Sequence, residues 1–505
     1  MRTLRYVLLG VAGILLVASA VLAVFLDDAN RFKPRLEALI ESTTGVAVRI
    51  GGELRWKLWP PVSIAADRVS AEQDGQAWDV GRLTVNLALM ELLTGPDAWR
   101  VASFTATDAV LRDDAGRLEI HRARLRELAP QRPAPFSAEL TYTADGLPPR
   151  PLTLDGFIAL DPDTGSLGLT DTRFETVDAA GLCHADARAL EDAAPAPPAA
   201  EDELIPVATL RAFDVDGTCS LDWVAVEDRR FTDVDVVFSS EAGDARLALD
   251  APDVFGGEAA AVITADARRE PVQWTVEPDL AGVDSAALLA LFDQRLTWAA
   301  PLAYGGTLRF EGNTPEAIRD SVSGETRFDG GQGRIDISAI KGRLVELAAM
   351  FNEGERIRAW PQMWRYQRFV GDWRIDGRHH MLNVALDNLS ISAEGDYAPF
   401  RDDMDMLLEL VFSDDPEWPV FEMNPALYDL PIPIRCRGEL TSPRCRLDED
   451  AAQRIVARAV SGEDSELRAE LENKIDQEVP AQYRDAARSL LDALGGSSGR
   501  RGGEQ

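Results

Sequence analysis

From residue 46 to about residue 414 the apolar side chains recur with a period of two. Leu83, Val85, Leu87 and Leu89 alternate with Thr84, Asn86 and Ala88. The same alternation runs through Leu152, Leu154, Gly156, Ile158 and Leu160, then Val234, Val236 and Phe238, and then Ala245, Leu247 and Leu249. It returns in Leu382, Val384 and Leu386 and in Met404, Met406, Leu408, Leu410 and Phe412. A period of two puts successive side chains on opposite faces of a strand, so each run predicts a strand with one apolar face. Turn dipeptides such as Asp74-Gly75 and Asp329-Gly330 separate the runs, as hairpins require. The pattern predicts a mainly β protein built from antiparallel strands.

Three kinds of segment break this period. Residues 6–26 are uninterruptedly apolar, behind Arg2 and Arg5 and ahead of Asp27 and Asp28. That length suits one crossing of a hydrocarbon core about 30 Å thick. The basic flank stays in the cytoplasm, which leaves residues 1–5 inside and the rest outside. Ala18-Ser19-Ala20 resembles a signal-peptide cleavage site, but the apolar run continues past it; either outcome exports the body. Short helical patterns form the second kind. Asn30 is placed to cap a helix carrying Phe32, Leu36, Leu39 and Ile40 on one face, and Gly45 to stop it. Others fall at 89–93, 285–292 and 340–351. From residue 448 the third kind begins: a helical tail over 448–494, followed by a disordered end at 495–505. Residues 191–203, EDAAPAPPAAEDE, read as an exposed acidic linker. It divides the exported part into a β region at 27–190 and another at 204–447.

The balance of Lys+Arg 52 against Asp+Glu 85 gives a net charge of −33. Such a surface repels nucleic acid, whose affinity comes from neutralised phosphates, so no nucleic-acid partner is expected. Four cysteines in an oxidising compartment suggest two disulfides. Three pairings are open, of which Cys183–Cys219 and Cys436–Cys445 join sequence neighbours. The four histidines, His121, His184, His379 and His380, lack metal-site spacing; the adjacent pair is expected in a surface loop after Asp376-Gly377-Arg378, pointing to opposite faces. No nucleophile elbow, P-loop or zinc motif occurs. The chain therefore reads as no enzyme and as needing no cofactor. Trp56, Trp59 and Trp99 fit either a membrane-interface belt or hairpin packing.

Several segments, in order, resemble the AsmA family. They are Phe32-Lys33-Pro34, TGVAVRIGG at 44–52, Trp59-Pro60-Pro61 and VGRLTVNLALMELLTG at 80–95. In the second half they are GTLRFEGNTP at 306–315, GQGRIDI at 331–337, LSISAEG at 389–395 and IPIRCRGELTSP at 432–443. The resemblance implies an inner-membrane anchor, a periplasmic body and a role in outer-membrane biogenesis in a Gram-negative bacterium. It also implies an elongated, curved, groove-like antiparallel sheet that binds or carries phospholipid. The partners it implies are the inner membrane, phospholipid and outer-membrane assembly proteins. A periplasmic scaffold for outer-membrane protein assembly, without lipid transport, is the alternative. If the apolar face is open, Leu83, Val85, Leu247, Leu249, Leu382, Val384, Met406 and Leu408 are the groove-lining candidates; if it closes on itself they form an ordinary core.

Overall fold

A computed structural model describes residues 29–448 apart from short internal segments, the longest being 88–100, 191–202, 346–353 and 415–427. The expected anchor at 6–26, the acidic linker, the tail at 448–494, the end at 495–505, Trp59 and Trp99 lie outside the described residues, save Glu203 and Asp448 at the margins. Among the described residues no helix is long and apolar enough to cross a membrane. The chain is mainly antiparallel β and divides into two compact units, Met1–Leu247 and Ala248–Gln505.

The first unit opens with a 3-10 turn, Ala29–Phe32, and helix α1, Lys33–Thr44. Asn30 lies within the turn rather than ahead of the helix, and its Oδ1 accepts from the Leu54 N–H at 3.0 Å. Strands β1 (Val48–Ile50) and β2 (Leu54–Lys57) both pair with β3 (Val62–Gln73). Between them, Gly51 and Gly52 donate to the carbonyls of Arg68 and Asp67, and a Cβ on Gly52 would meet Asp67 O at 2.2 Å. The unit then continues as β4 (Gln76–Leu87), β5 (Val101–Asp113), β6 (Gly116–Leu128), β7 (Ala134–Ala144) and β8 (Arg150–Asp161). After these come β9 (Ser166–Thr176), β10 (Ala179–Ala189), helix α2 (Val207–Ala212), β11 (Phe213–Val226) and β12 (Arg229–Glu241). From β3 to β12 each strand pairs antiparallel with its sequence neighbour. Two-residue turns join several of these pairs. Glu227 (φ 54°) begins the turn from β11 to β12, and Ala242 (φ 47°) with Gly243 (φ 92°) leads into β13 (Asp244–Val254). Positive φ there matches the right-handed twist of the flanking strands. One buried cluster of this unit joins Ala29, Ile50, Leu54 and Ala66, with Leu36, Trp56, Ile64 and Val69 packed against them. Trp56 lies 4.9 Å from the ring of Phe32, as hairpin packing requires.

The second unit pairs antiparallel in the same way, except that its main sheet skips β16 and β19–β20. Its main run is β14 (Gly257–Asp266), β15 (Gln273–Asp284), β17 (Pro301–Glu311), β18 (Ser323–Asp329), β21 (Phe369–Asp376), β22 (His379–Leu386), β23 (Leu389–Ala398), β24 (Asp403–Phe412), β25 (Ile432–Gly438) and β26 (Arg444–Leu447). Three short strands, β16 (Trp298–Ala299), β19 (Gly333–Asp336) and β20 (Met363–Tyr366), form a separate sheet. Helices α3 (Ser285–Leu291), α4 (Pro315–Asp320) and α5 (Gly354–Ala359) are described in the unit, while the expected helical patterns at 89–93 and, for the most part, 340–351 lie outside the described residues. Thr314 caps α4, its hydroxyl accepting from the Ala317 N–H.

The main core sits where the small sheet and α5 meet the apolar face of β21–β25. Ile335, Ile357, Trp360, Trp364 and Tyr366 pack there with Leu386, Leu389, Met406, Leu410, Phe412 and Ile434. Trp298, Phe328 and Phe369 meet edge-on, with centroids 5.0–5.9 Å apart. The Trp298 Nε1–H donates to the Tyr366 hydroxyl at 2.5 Å.

The β22–β23 turn anchors this core. Asp387 (φ 50°) and Asn388 form a two-residue turn and are both buried. The Asp387 carboxylate accepts from Trp364 Nε1 (3.0 Å), Gln367 N (2.8 Å) and Arg368 N (3.1 Å). Asn388 Nδ2 donates to Ser413 O. One carboxylate thereby accepts from a buried indole and from two backbone amides at the edge of the core.

Candidate functional site

Strand register assembles an apolar row across the first unit. Ala66, Leu83, Ala106, Ala123, Ala138, Leu154, Phe174, Gly181, Leu221 and Val234 are successive cross-strand partners from β3 to β12. A second row beside it runs Ile64, Val85, Phe104, Leu125 and Phe136. The sequence builds these rows because small and large apolar residues occupy alternate positions on every strand. Ala66, Ala106, Gly181 and Val234 are buried, but Leu83, Val85, Phe104, Leu125, Phe136, Leu154, Phe174 and Leu221 are only half-buried. Among the described residues, α1 covers the β1–β3 end and α2 meets β11 and β12. The large side chains between them stay partly open to solvent.

The corresponding face of the second unit is different. Met406 is buried and Leu408 and Leu382 pack against the core beneath the three-stranded sheet. Val384 borders a separate trough of about 1140 Å³. Apolar side chains such as Phe328, Val370 and Ile391 line it together with polar and charged ones. Arg327, Asp372, Asn383, Ser392 and Glu409 are successive cross-strand partners along its floor. Asn383 Nδ2 donates to Asp372 at 2.9 Å, and Arg374 pairs with Glu325 at 2.7 Å next to the row. These polar positions alternate with the apolar ones noted in the sequence; only the register shows that they align. Leu247 and Leu249 are half-buried on β13, the strand in which the two units meet along the chain.

Cys183 and Cys219 are register partners on β10 and β11 and form a disulfide, as do Cys436 and Cys445 on β25 and β26. The first borders the apolar row through its partner Val236, and Cys436 lies in the core of the second unit. Two disulfides fit a chain that folds in an oxidising compartment.

His379 and His380 lie on strand β22, not in a surface loop. His379 is near Glu394 and Asp396, at 3.4 and 3.5 Å, while His380 is buried on the other face. The loop ends sooner than the sequence suggests because Gly377 (φ 58°) closes a tight turn and His379 already pairs with Asp376. Trp373 Nε1–H donates to His380 Nδ1 at 3.1 Å, and burial pushes the imidazole pKa down. Among the described residues no group of three or more His, Cys, Asp or Glu side chains could hold a metal ion.

The arrangement offers a half-buried apolar row in the first unit and a trough with a row of polar and charged residues in the second. Compared with known protein families, curated proteins and solved structures, the chain finds no match.

Proposed function

We propose that this chain is an AsmA-type envelope protein, tethered in the inner membrane by residues 6–26, whose periplasmic first unit holds phospholipid acyl chains on its apolar face. One observation carries the reading: a row of apolar side chains crosses ten strands, and beyond the end covered by α1 its large members are only half-buried among the described residues. Each methylene taken from water onto such a surface is worth about 0.8 kcal/mol, so a lipid tail lying along Leu125, Phe136 and Leu154 is held without any polar contact. The disulfides and the acidic surface suit an exported body.

The test is native mass spectrometry of the full chain purified in mild detergent, paired with photo-crosslinking from Leu125 and Phe136. Retained phospholipid and lipid adducts support the reading. Adducts to protein alone, with no phospholipid retained, replace it with a periplasmic scaffold for outer-membrane protein assembly.

A further inference from the structure

The polar side of the first unit carries a feature that acyl-chain binding does not use. Along β6, Arg122, Arg124 and Arg126 alternate with Ala123 and Leu125, so the three arginines face away from the apolar rows, and all three are exposed. Alternate residues on a strand are about 6.6 Å apart, which makes a ladder of guanidiniums about 13 Å long. Register fixes its surroundings. On β5, Thr107, Thr105 and Ser103 lie opposite Arg122, Arg124 and Arg126. On β7, Ser137 lies opposite Arg124, and Glu139 opposite Arg122.

Neighbouring arginines are neutralised. Arg82 pairs with Asp67 at 2.7 Å, Arg112 with Asp79 at 2.9 Å and Arg117 with Glu119 at 2.7 Å. Among the described residues no carboxylate reaches ion-pair distance of Arg122, Arg124 or Arg126. Other described arginines also lack an ion pair, but in a chain with 85 acidic and 52 basic residues these three stand in one row at alternate positions of one strand. Mutual repulsion makes the empty ladder unfavourable and an occupied one favourable.

We propose that this ladder docks an extended acidic segment of a partner protein, with Asp or Glu at alternate positions, lying along β6. The argument is a match of repeat as well as of sign. An extended segment presents side chains on one face at the same interval as the strand beneath it, so carboxylates at i, i+2 and i+4 each meet one guanidinium fork. The flanking Ser and Thr hydroxyls supply donors for the remaining oxygen lone pairs. A phospholipid held on the apolar row lies across the sheet from the ladder, so this inference stands or falls independently of lipid binding.

The test titrates the full chain in mild detergent, by fluorescence anisotropy, with a labelled peptide of about twelve residues alternating Glu and Ser, long enough to span the ladder. A peptide of the same composition with its glutamates in one block is the comparison. The alternating peptide should bind more tightly than the block peptide, and weaken as salt is raised. Arg122→Ser, Arg124→Ser and Arg126→Ser together should lower its affinity about tenfold, while Lys at the three positions retains charge and most of the binding. Equal affinity for both peptides, no binding at low salt, or binding unchanged in the triple Ser variant overturns the proposal. Ladder-dependent capture of phosphatidylglycerol vesicles in place of the peptide also overturns it, and assigns the face to a membrane surface.

Discussion

Removing the two disulfides one at a time should separate their contributions by the length of chain each encloses. Cys183–Cys219 spans 36 positions and Cys436–Cys445 spans 9. Both pairs sit at positions that the sheet already holds opposite each other, so their effect falls mainly on the unfolded chain. Loop-closure entropy then assigns about 3.8 kcal/mol to the first and about 2.6 kcal/mol to the second at 25 °C. For domains of this size that corresponds to about 8–15 °C and 5–10 °C in Tm. Mutation alone would confound the comparison, because Cys436 is buried in the core and its truncation also leaves a cavity. The cleaner assay uses two variants, Cys436→Ala/Cys445→Ala and Cys183→Ala/Cys219→Ala, each followed by calorimetry before and after reduction. The oxidised-minus-reduced difference in each variant reports the one bridge that remains, with both sulfurs still in place. A larger reduction effect for the short loop than for the long one would refute the loop-entropy account.

Three further outcomes follow from the packing. Asp387→Ala leaves the Trp364 indole and the Gln367 and Arg368 amides without an acceptor, and should cost about 3 kcal/mol in urea unfolding. Met406→Ala, beneath the small sheet, should cost about 2–5 kcal/mol, whereas Leu125→Ala, on the half-open row, should cost about 1 kcal/mol or less while reducing retained phospholipid. Equal costs for the two would mean that the row of the first unit is as closed as the core of the second. His380 is buried, with Trp373 and Tyr397 against its ring and His379 and Asp396 as the nearby titrating groups. Its folded pKa lies below the ordinary value near 6.5, so the unfolded chain takes up the proton first as pH falls. Its contribution to stability should be complete above about pH 6.5 and decline below it, and His380→Phe should flatten that decline in urea midpoints measured across the range.

The strands were legible because alternation is local: Leu382, Val384 and Leu386 announce β22 without reference to any other segment. What covers each apolar face was not. Leu83 and Val85 carry the same pattern as Met406 and Leu408, yet only the latter pair meets a second layer. That layer is brought in by Trp298, Ile335 and Trp364, which are distant in sequence and show no period of their own. The polar row of Arg327, Asp372, Asn383, Ser392 and Glu409 was hidden for a related reason, since it exists only once five strands fall into register. Asp387-Asn388 did carry a local signal, a turn dipeptide between two apolar runs. Acidic residues are so frequent in this chain that the dipeptide alone does not single out a buried carboxylate. His380 lies on a strand where the sequence predicts a loop, because Asp376-Gly377-Arg378 suggests a longer connection than the tight turn that forms.

From β3 to β12, pairing between sequence neighbours has a consequence for how such a run changes size. There each strand pairs with the strands beside it in the chain, as in repeat proteins with nearest-neighbour energetics. Inserting one hairpin would widen the sheet by about 9.6 Å while leaving every other pair of partners unchanged. The reach of this architecture is therefore adjustable in hairpin steps, and a longer or shorter span needs no redesign of the packing elsewhere.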